Sequence, residues 1–141
     1  MSRIQLAVNV SDLDEAIDFY STFFKATPAK VRPGYANFAI DDPPLKLVLI
    51  ENEGTPGSLN HLGVEVFSSD EVTRASEYLA GAGFATRVEE NTTCCFAVQD
   101  KVWVDGVDGS PWEVYTVLAD SPIGIEGNGS CCVSDETTAC C

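Results

Sequence analysis

The feature that most constrains the fold of this chain of 141 residues is an internal repeat. The segment at residues 5–10 (QLAVNV) is echoed at residues 61–66 (HLGVEV), and the segment at residues 37–40 (NFAI) is echoed at residues 95–98 (CFAV). Self-similarity at a regular spacing indicates repeated structural units. The repeat predicts two similar modules, joined by a hinge near residues 53–60, where glycine and proline interrupt regular structure.

Within each module the hydrophobic period changes in the same order. Apolar residues alternate over residues 4–10, as in a half-buried strand, and then recur at helical spacing behind a predicted N-cap at Ser11. The second module repeats this order, with its helix predicted to begin after a cap at Ser69. Three strand-like stretches follow each helix, near residues 29–32, 35–40 and 45–51 in the first module and near residues 85–90, 95–99 and 112–118 in the second. The sequence predicts an α+β fold of two tandem βαβββ modules.

The two modules are expected to cover about residues 1–57 and 58–118 and to form a single catalytic domain if the chain is an enzyme. Residues 119–141 contain glycines and small polar residues without a long apolar pattern, which predicts a flexible tail. This tail is rich in cysteine, with thiols at Cys131, Cys132, Cys140 and Cys141.

The excess of acidic over basic residues limits the kinds of molecule that this chain is expected to bind. The chain has 8 Lys and Arg against 22 Asp and Glu, a formal net charge of −14, so it has no basic surface for nucleic acid or anionic lipid and favours a neutral ligand. It has no apolar run of about 20 residues and no signal-peptide pattern, so we expect a cytoplasmic protein without a membrane partner. Its six cysteines form three adjacent pairs, which in a reducing compartment are typical of thiols that bind a thiophilic ligand.

A metal site is predicted on the polar face of the first strand of each module. Gln5 and His61 occupy equivalent positions in the repeat, and Glu113 lies on the last strand with its side chain on the same side as Tyr115. If that side lines a cavity, an amide, an imidazole and a carboxylate converge, as in sites for nonhaem Fe(II) or a similar divalent ion. The alternative is a structural histidine, a solvent-facing glutamine and a surface carboxylate.

Paired modules of this order, with a last strand after the turn at residues 107–113 (VDGSPWE), resemble the vicinal oxygen chelate superfamily. That superfamily includes glyoxalases, bleomycin and fosfomycin resistance proteins and extradiol dioxygenases. The resemblance covers about residues 2–118 and implies a curved mixed sheet around a divalent metal held by Gln5, His61 and Glu113. Extradiol dioxygenases usually have histidine at the first ligand position, whereas glyoxalase-type members use glutamine, so ring cleavage is disfavoured.

Three motifs resemble the carbon-arsenic bond lyases of that superfamily: residues 60–64 (NHLGV), residues 92–97 (TTCCFA) and the cysteine-rich tail. The resemblance implies Fe(II)- and O2-dependent removal of methyl or aryl groups from trivalent organoarsenicals such as methylarsenite, for detoxification. It also implies that Cys94 and Cys95 hold the arsenic. Thiolates are soft ligands, and a trivalent arsenical with one carbon substituent has two positions left for sulfur. The tail cysteines are candidate auxiliary arsenic-binding thiols.

The thiol pair poses a geometric problem, because adjacent side chains on a regular strand point to opposite faces. We therefore predict that Cys94 lies in a bent or mobile loop that closes on the substrate. The alternative is that the pair consists of two half-buried small hydrophobic residues. Lys101, close to the pair in sequence, is interpreted as an ordinary surface lysine, with contact to an anionic oxygen species as the alternative.

Two other functions are compatible with these residues. One is a glyoxalase-like isomerase or a resistance-type thiol transferase, in which the metal acts only as a Lewis acid and the cysteine pairs have no role. The other is a non-catalytic module that sequesters a drug or a metalloid. Mn(II), Co(II) and Ni(II) also accept the proposed ligand set, and either a monomer or a homodimer is compatible with the sequence.

Overall fold

Each half of the chain folds as a strand, a helix and three further strands in the computed structural model, which describes residues 2–122. This confirms the predicted α+β class and the pair of βαβββ modules. The first module contains β1 (Arg3–Val10), α1 (Leu13–Phe24), β2 (Lys30–Arg32), β3 (Tyr35–Asp41) and β4 (Pro44–Glu51). The second contains β5 (Leu59–Glu65), α2 (Ser69–Gly81), β6 (Thr86–Cys94), β7 (Ala97–Asp105) and β8 (Pro111–Asp120). Cys131, Cys132, Cys140 and Cys141 lie outside the described residues.

The strands form one eight-stranded mixed sheet in the order β2-β3-β4-β1-β5-β8-β7-β6. β1 and β5 pair antiparallel at the centre, whereas β1 pairs parallel with β4, and β5 pairs parallel with β8. The sheet curls into a half-barrel, so that β2 at one end approaches the turn between β6 and β7 near the other end. Lys30 on β2 donates to the carbonyl of Phe96 in the turn between β6 and β7 at 2.9 Å and forms an ion pair with Asp120.

The two helices cover the outer face of this half-barrel. The apolar side of β1 packs with Leu13 of α1, and Val72 of α2 packs with Val66 and Val102 in the second module. The other face of the central strands carries the polar side chains and faces the interior of the half-barrel, as the alternation of β-strand side chains requires. None of the helices within residues 2–122 has the length and apolar character needed to cross a bilayer.

Both predicted helix caps are displaced by one residue. The N-cap of α1 is Asp12, whose Oδ1 accepts a hydrogen bond from the Glu15 amide at 3.0 Å, and not Ser11. The N-cap of α2 is Ser68, because Ser69 is already helical and its hydroxyl donates to Asp100. In each case two neighbouring residues are good caps, and tertiary contacts decide between them.

The start of α2 gives a first testable prediction. Ser68 Oγ accepts from the Glu71 amide, and the Glu71 carboxylate accepts from the amide of Phe67 at 3.0 Å, as in a capping box. Ser68→Ala is expected to lower the free energy of unfolding by about 1 kcal/mol. Thermal unfolding measures this loss, with the exposed mid-helix variant Thr73→Ala as a control that should not lose stability.

The same contacts give this helix start a pH dependence. The hydrogen bond from the Phe67 amide, followed by the one from Ser68, lowers the pKa of Glu71. A lowered pKa means that the contribution of Glu71 to the free energy of unfolding is present above the ordinary glutamate range and disappears as pH falls through it.

Equal stability losses for Ser68→Ala and Thr73→Ala would contradict the role of Ser68 as the N-cap.

Candidate metal centre

The structure brings Gln5, His61 and Glu113 together on the interior face of the sheet. Gln5 Nε2 lies 2.8 Å from Glu113 Oε1 and 3.0 Å from His61 Nε2, and His61 Nε2 lies 3.3 Å from Glu113 Oε1. All three side chains are at most 3% exposed. The three residues that the sequence selected as metal ligands are therefore adjacent in space.

Strand register explains this convergence. Gln5 of β1 pairs with Gly63 of β5, and Gly63 pairs with Glu113 of β8, so the three residues form one row across the sheet. His61 is two residues from Gly63 on the same strand and projects from the same face. The close approach of Gln5 and Glu113 thus requires that Gly63, between them, has no side chain. A Cβ atom at Gly63 would lie 3.0 Å from Glu113 Cγ and 3.3 Å from Gln5 Nε2.

Gly63→Ala is accordingly expected to displace Glu113 and Gln5. We expect it to destabilise the fold by about 1–3 kcal/mol, as overpacking of a close-packed site does. Divalent metal affinity should fall at least roughly tenfold, because this loss of ligand geometry is equivalent to about 1.4 kcal/mol or more. Calorimetric metal titration and thermal unfolding measure the two effects.

Gly81→Ala is the matched control for this substitution. A Cβ atom at Gly81 has no neighbour within 4 Å in the described part of the chain. Because Gly81 lies in α2, alanine should leave metal binding intact and preserve or raise stability. Unchanged metal binding in Gly63→Ala would show that the metal site does not require a residue without a side chain at this position.

Asn60 orients the imidazole of His61. His61 Nδ1 lies 2.8 Å from Asn60 Oδ1, and the Asn60 amide nitrogen donates to Asn9 Oδ1 at 3.0 Å, which identifies the Asn60 oxygen as the acceptor. His61 Nδ1 therefore carries the proton, and its Nε2 lone pair is directed at Gln5 and Glu113. A partner of this kind fixes the tautomer of a metal-binding histidine. Trp103 packs edge-to-face against the ring, with centroids 5.4 Å apart.

Lys101 is a buried partner of the site, so its interpretation as an ordinary surface lysine is wrong. It is 1% exposed, and its Nζ donates to Glu113 Oε2 at 2.9 Å. Burial alone opposes the charged amine, but the charge of Glu113 and this hydrogen bond raise the Lys101 pKa. Burial alone would likewise raise the pKa of Glu113, but the positive charge of Lys101 and its hydrogen bond lower it to about 2. Glu113 is thus a carboxylate, with Oε2 held by Lys101 and Oε1 directed at Gln5 and His61.

This donor set fits a divalent ion of the first transition row. A neutral imidazole nitrogen and a carboxylate oxygen are ordinary ligands for such ions, and a half-turn of the Gln5 amide would present its oxygen to the same point. Within residues 2–122, no group of three or more His, Cys, Asp and Glu residues could hold a metal. The amide of Gln5 is therefore needed as the third donor, which leaves other coordination positions open.

The chain bends sharply at Cys94 and Cys95, and the Cys94 sulfur is disulfide-bonded in the structure. Cys94 is the last residue of β6, and Cys95 and Phe96 both have left-handed backbone angles, with φ of 52° and 63°. The two sulfur atoms are consequently only 3.8 Å apart. Two sulfurs bound at about 2.3 Å to one tetrahedral ion would be separated by roughly 3.8 Å. A bend is present, but it lies at Cys95 and Phe96, whereas Cys94, predicted to lie in the loop, is the last residue of β6. The predicted strand at residues 95–99 begins only at Ala97.

One cavity connects Cys95 with two of the metal donors, Gln5 and Glu113. It has a volume of about 40 Å³. It is lined by Gln5 and Glu113 of the donor set, by Cys95, by the cations Lys30 and Lys46, and by Tyr35, Asn37, Val48, Ala97, Gln99, Tyr115 and Val117. Burial, followed by Glu65 and Glu113, raises the pKa of Tyr115, and burial together with Cys95 raises that of Tyr35. Both phenols therefore remain protonated at neutral pH.

Known proteins share both the sequence and the fold. Residues 3–114 match the Glyoxalase/Bleomycin resistance protein/Dioxygenase superfamily. The chain is 61% identical to the cadmium-induced protein CadI of Mycobacterium tuberculosis (strain H37Rv), over 100% of this chain and 93% of that one. It is 56% identical to the trivalent organoarsenical cleaving enzyme of Thermomonospora curvata, over 94% of this chain and 88% of that one.

A solved structure gives the same architecture. The Mn(II)-bound glyoxalase from Novosphingobium aromaticivorans superimposes with a TM-score of 0.61 at 16% identity, over 93% of this chain and 44% of that one. The half-barrel of paired modules is therefore the vicinal oxygen chelate fold, as the sequence resemblance implied.

Proposed function

Because the chain belongs to the Glyoxalase/Bleomycin resistance protein/Dioxygenase superfamily, we propose that it is an Fe(II)- and O2-dependent lyase that cleaves the carbon-arsenic bond of trivalent organoarsenicals. Methylarsenite and trivalent aromatic arsenicals would be converted to arsenite. The observation that carries this proposal is one cavity lined by Gln5 and Glu113 of the donor set and by Cys95, whose sulfur lies 3.8 Å from that of Cys94. The name of the 56% identical relative from Thermomonospora curvata supports it.

In this proposal Cys94 and Cys95 fix the substrate. Cys94 is disulfide-bonded in the structure, so a cytoplasmic thiol would first reduce it and itself become oxidised to a disulfide. Each of the two thiols then forms an arsenic-sulfur bond in place of an arsenic-oxygen bond, and each departing hydroxide leaves as water with the thiol proton. The arsenic remains trivalent and keeps its organic substituent. A soft, neutral ligand of this kind suits the sulfur pair and the acidic chain. The protein would act in the reducing cytoplasm on a small molecule, without a nucleic acid or membrane partner.

Gln5, His61 and Glu113 would hold the iron, which when bound supplies the redox chemistry with O2. The surrounding residues prepare this site. Asn60 keeps the His61 Nε2 lone pair directed at the donor cluster, and Lys101 keeps Glu113 ionised and bound through one oxygen. The burial of Gln5, His61, Glu113 and Lys101, each at most 3% exposed, would keep bulk water away from the metal.

The test is arsenic speciation after methylarsenite is mixed anaerobically with the Fe(II)-loaded protein and air is then admitted. We expect release of inorganic arsenite in at least stoichiometric amount, with no release when either Fe(II) or O2 is omitted. Methylarsenite that stays bound and intact after aeration would contradict the lyase. Release that is independent of Fe(II) or of O2 would contradict the proposed cofactors.

The relative named cadmium-induced protein favours a second candidate, a protein that sequesters a soft metal or metalloid without turnover. Two sulfurs 3.8 Å apart would suit a soft cation as well as arsenic. In that case the metal donors would have no part in ligand capture. The speciation experiment separates the two candidates, because a sequestering protein consumes no O2 and leaves methylarsenite unchanged.

A further inference from the structure

Three buried polar atoms face the cavity without a hydrogen-bond partner among residues 2–122. They are Asn37 Oδ1, Gln99 Oε1 and the hydroxyl oxygen of Tyr115. The three residues are 4%, 5% and 2% exposed, and all of them line the cavity that contains Cys95 and Glu113. Buried polar groups in native proteins are nearly always hydrogen-bonded to protein or to ordered water, so three orphans that line one cavity mark a place where water or the polar groups of a ligand bind.

The orientation of the two amides is fixed by their other ends. Asn37 Nδ2 donates to the Tyr35 hydroxyl at 2.9 Å, and Gln99 Nε2 donates to the carbonyl of Cys94 at 3.0 Å. These bonds leave both carbonyl oxygens as acceptors, whereas the Tyr115 hydroxyl can donate as well as accept. The ligand group must therefore offer hydrogen-bond donors to two oxygens and an acceptor to the phenol. Two hydroxyl groups on one atom meet both requirements, because each donates one hydrogen bond and can also accept.

The size of the cavity limits what can dock. A volume of about 40 Å³ holds a few water-sized groups, each needing roughly 10–15 Å³, so it can take the hydroxyl end of an arsenical, whereas an aromatic substituent would have to lie outside it. We propose that Asn37, Gln99 and Tyr115 form a docking subsite for the hydroxyl groups of a small trivalent arsenical in its neutral hydroxide form. This inference rests on the proposed function, because it places the substrate beside Cys95 before the thiols react.

Docking is followed by a ligand substitution at arsenic, in which sulfur replaces oxygen. The Cys95 sulfur forms a bond to arsenic, one arsenic-oxygen bond breaks, and the thiol proton leaves with the hydroxide as water. Arsenic stays trivalent and no electrons are transferred. Gln99 connects the subsite to the thiol pair through its bond to the Cys94 carbonyl. The subsite therefore acts on the rate of capture, because the final dithiolate has fewer hydroxyl groups to bind.

The test compares the wild-type chain with Tyr115→Phe in stopped-flow capture of methylarsenite. Both proteins are full length, free of metal and reduced with a phosphine, and their four tail cysteines are replaced by serine. Loss of one hydrogen bond predicts a second-order rate about three- to tenfold lower for Tyr115→Phe. Capture of Cd²⁺, which offers no arsenic hydroxyl, should keep its rate. The matched control is Tyr78→Phe, which removes a hydroxyl from a side chain that is 75% exposed.

A structural role for Tyr115 would give a different pattern. Because its hydroxyl is unpartnered, Tyr115→Phe should keep or raise the unfolding temperature. If it does not fold, Asn37→Leu provides the second test, with the same expected slowing. Equal methylarsenite rates in wild type and variant would overturn the subsite and leave the proposed function standing, as would equal slowing with methylarsenite and Cd²⁺. Failure of the wild type to capture methylarsenite would overturn both.

Discussion

Replacing His61 by alanine is expected to abolish turnover and to reduce metal affinity by more than about a hundredfold. Loss of a residue that only orients a metal ligand costs roughly 10- to 100-fold, and His61 supplies the only imidazole of the chain. The buried carboxylate and amide that remain cannot replace that nitrogen. Arsenical binding should survive, because Cys94 ends β6 and Cys95 lies in the turn that follows, whereas His61 lies on β5. Metal titration, arsenic speciation and arsenical binding to the same variant measure the three effects.

Asn60→Ala provides a graded comparison for this variant. It leaves the imidazole in place but removes the acceptor for Nδ1, so metal affinity should fall by an intermediate factor of about 10–100. Loss of arsenical binding together with metal binding in His61→Ala would contradict the separation of metal and substrate ligands. Full metal affinity in that variant would exclude His61 from the metal site.

Cys94→Ser and Cys95→Ser are each expected to weaken methylarsenite binding by roughly 10²- to 10⁴-fold while metal binding is retained. Two thiols on one arsenic make the second bond intramolecular, and the gain from such linkage is of that order. A serine hydroxyl is a hard ligand and does not replace the lost sulfur. Binding titrations with methylarsenite under reducing conditions, followed by metal titration of the same proteins, measure both quantities.

The tail thiols determine how this experiment must be controlled. Cys131, Cys132, Cys140 and Cys141 could capture arsenic themselves, so each substitution is made both in the natural chain and in a chain with these four residues replaced by serine. A matched control is Thr92→Ser, a conservative change on β6 close to the pair. Unchanged methylarsenite affinity in Cys94→Ser with the tail replaced would refute a substrate role for that thiol.

Much of the fold and of the metal site could be predicted because both follow from short-range periodicity. The period-2 pattern of the first strands places Gln5 and His61 on one face, and the repeat makes them equivalent before any metal is considered. Glu113 follows from the same alternation on the last strand. None of these inferences requires knowledge of a long-range contact.

The site residues that could not be predicted from the sequence are brought into place by long-range contacts. Lys101 has no local pattern that signals burial, and only the pairing of β7 with β8 brings its amine to Glu113. Asn37 and Tyr115 face the same cavity from different modules, so neither is recognisable before the sheet curls. The predicted helix caps are displaced by one residue because, at the start of each helix, two adjacent residues have side chains that can act as the N-cap.

The row Gln5–Gly63–Glu113 also has a consequence for how the protein acquires its metal. Its outer members are 108 residues apart, and β1, β5 and β8 must all be paired before the donors meet. A growing polypeptide therefore has no metal site until the second module is complete, and a metal that binds only the finished fold stabilises that state by mass action. Cellular metal supply would act as a check on completed folding, favouring chains that have reached the native topology over those that have stopped with one module formed.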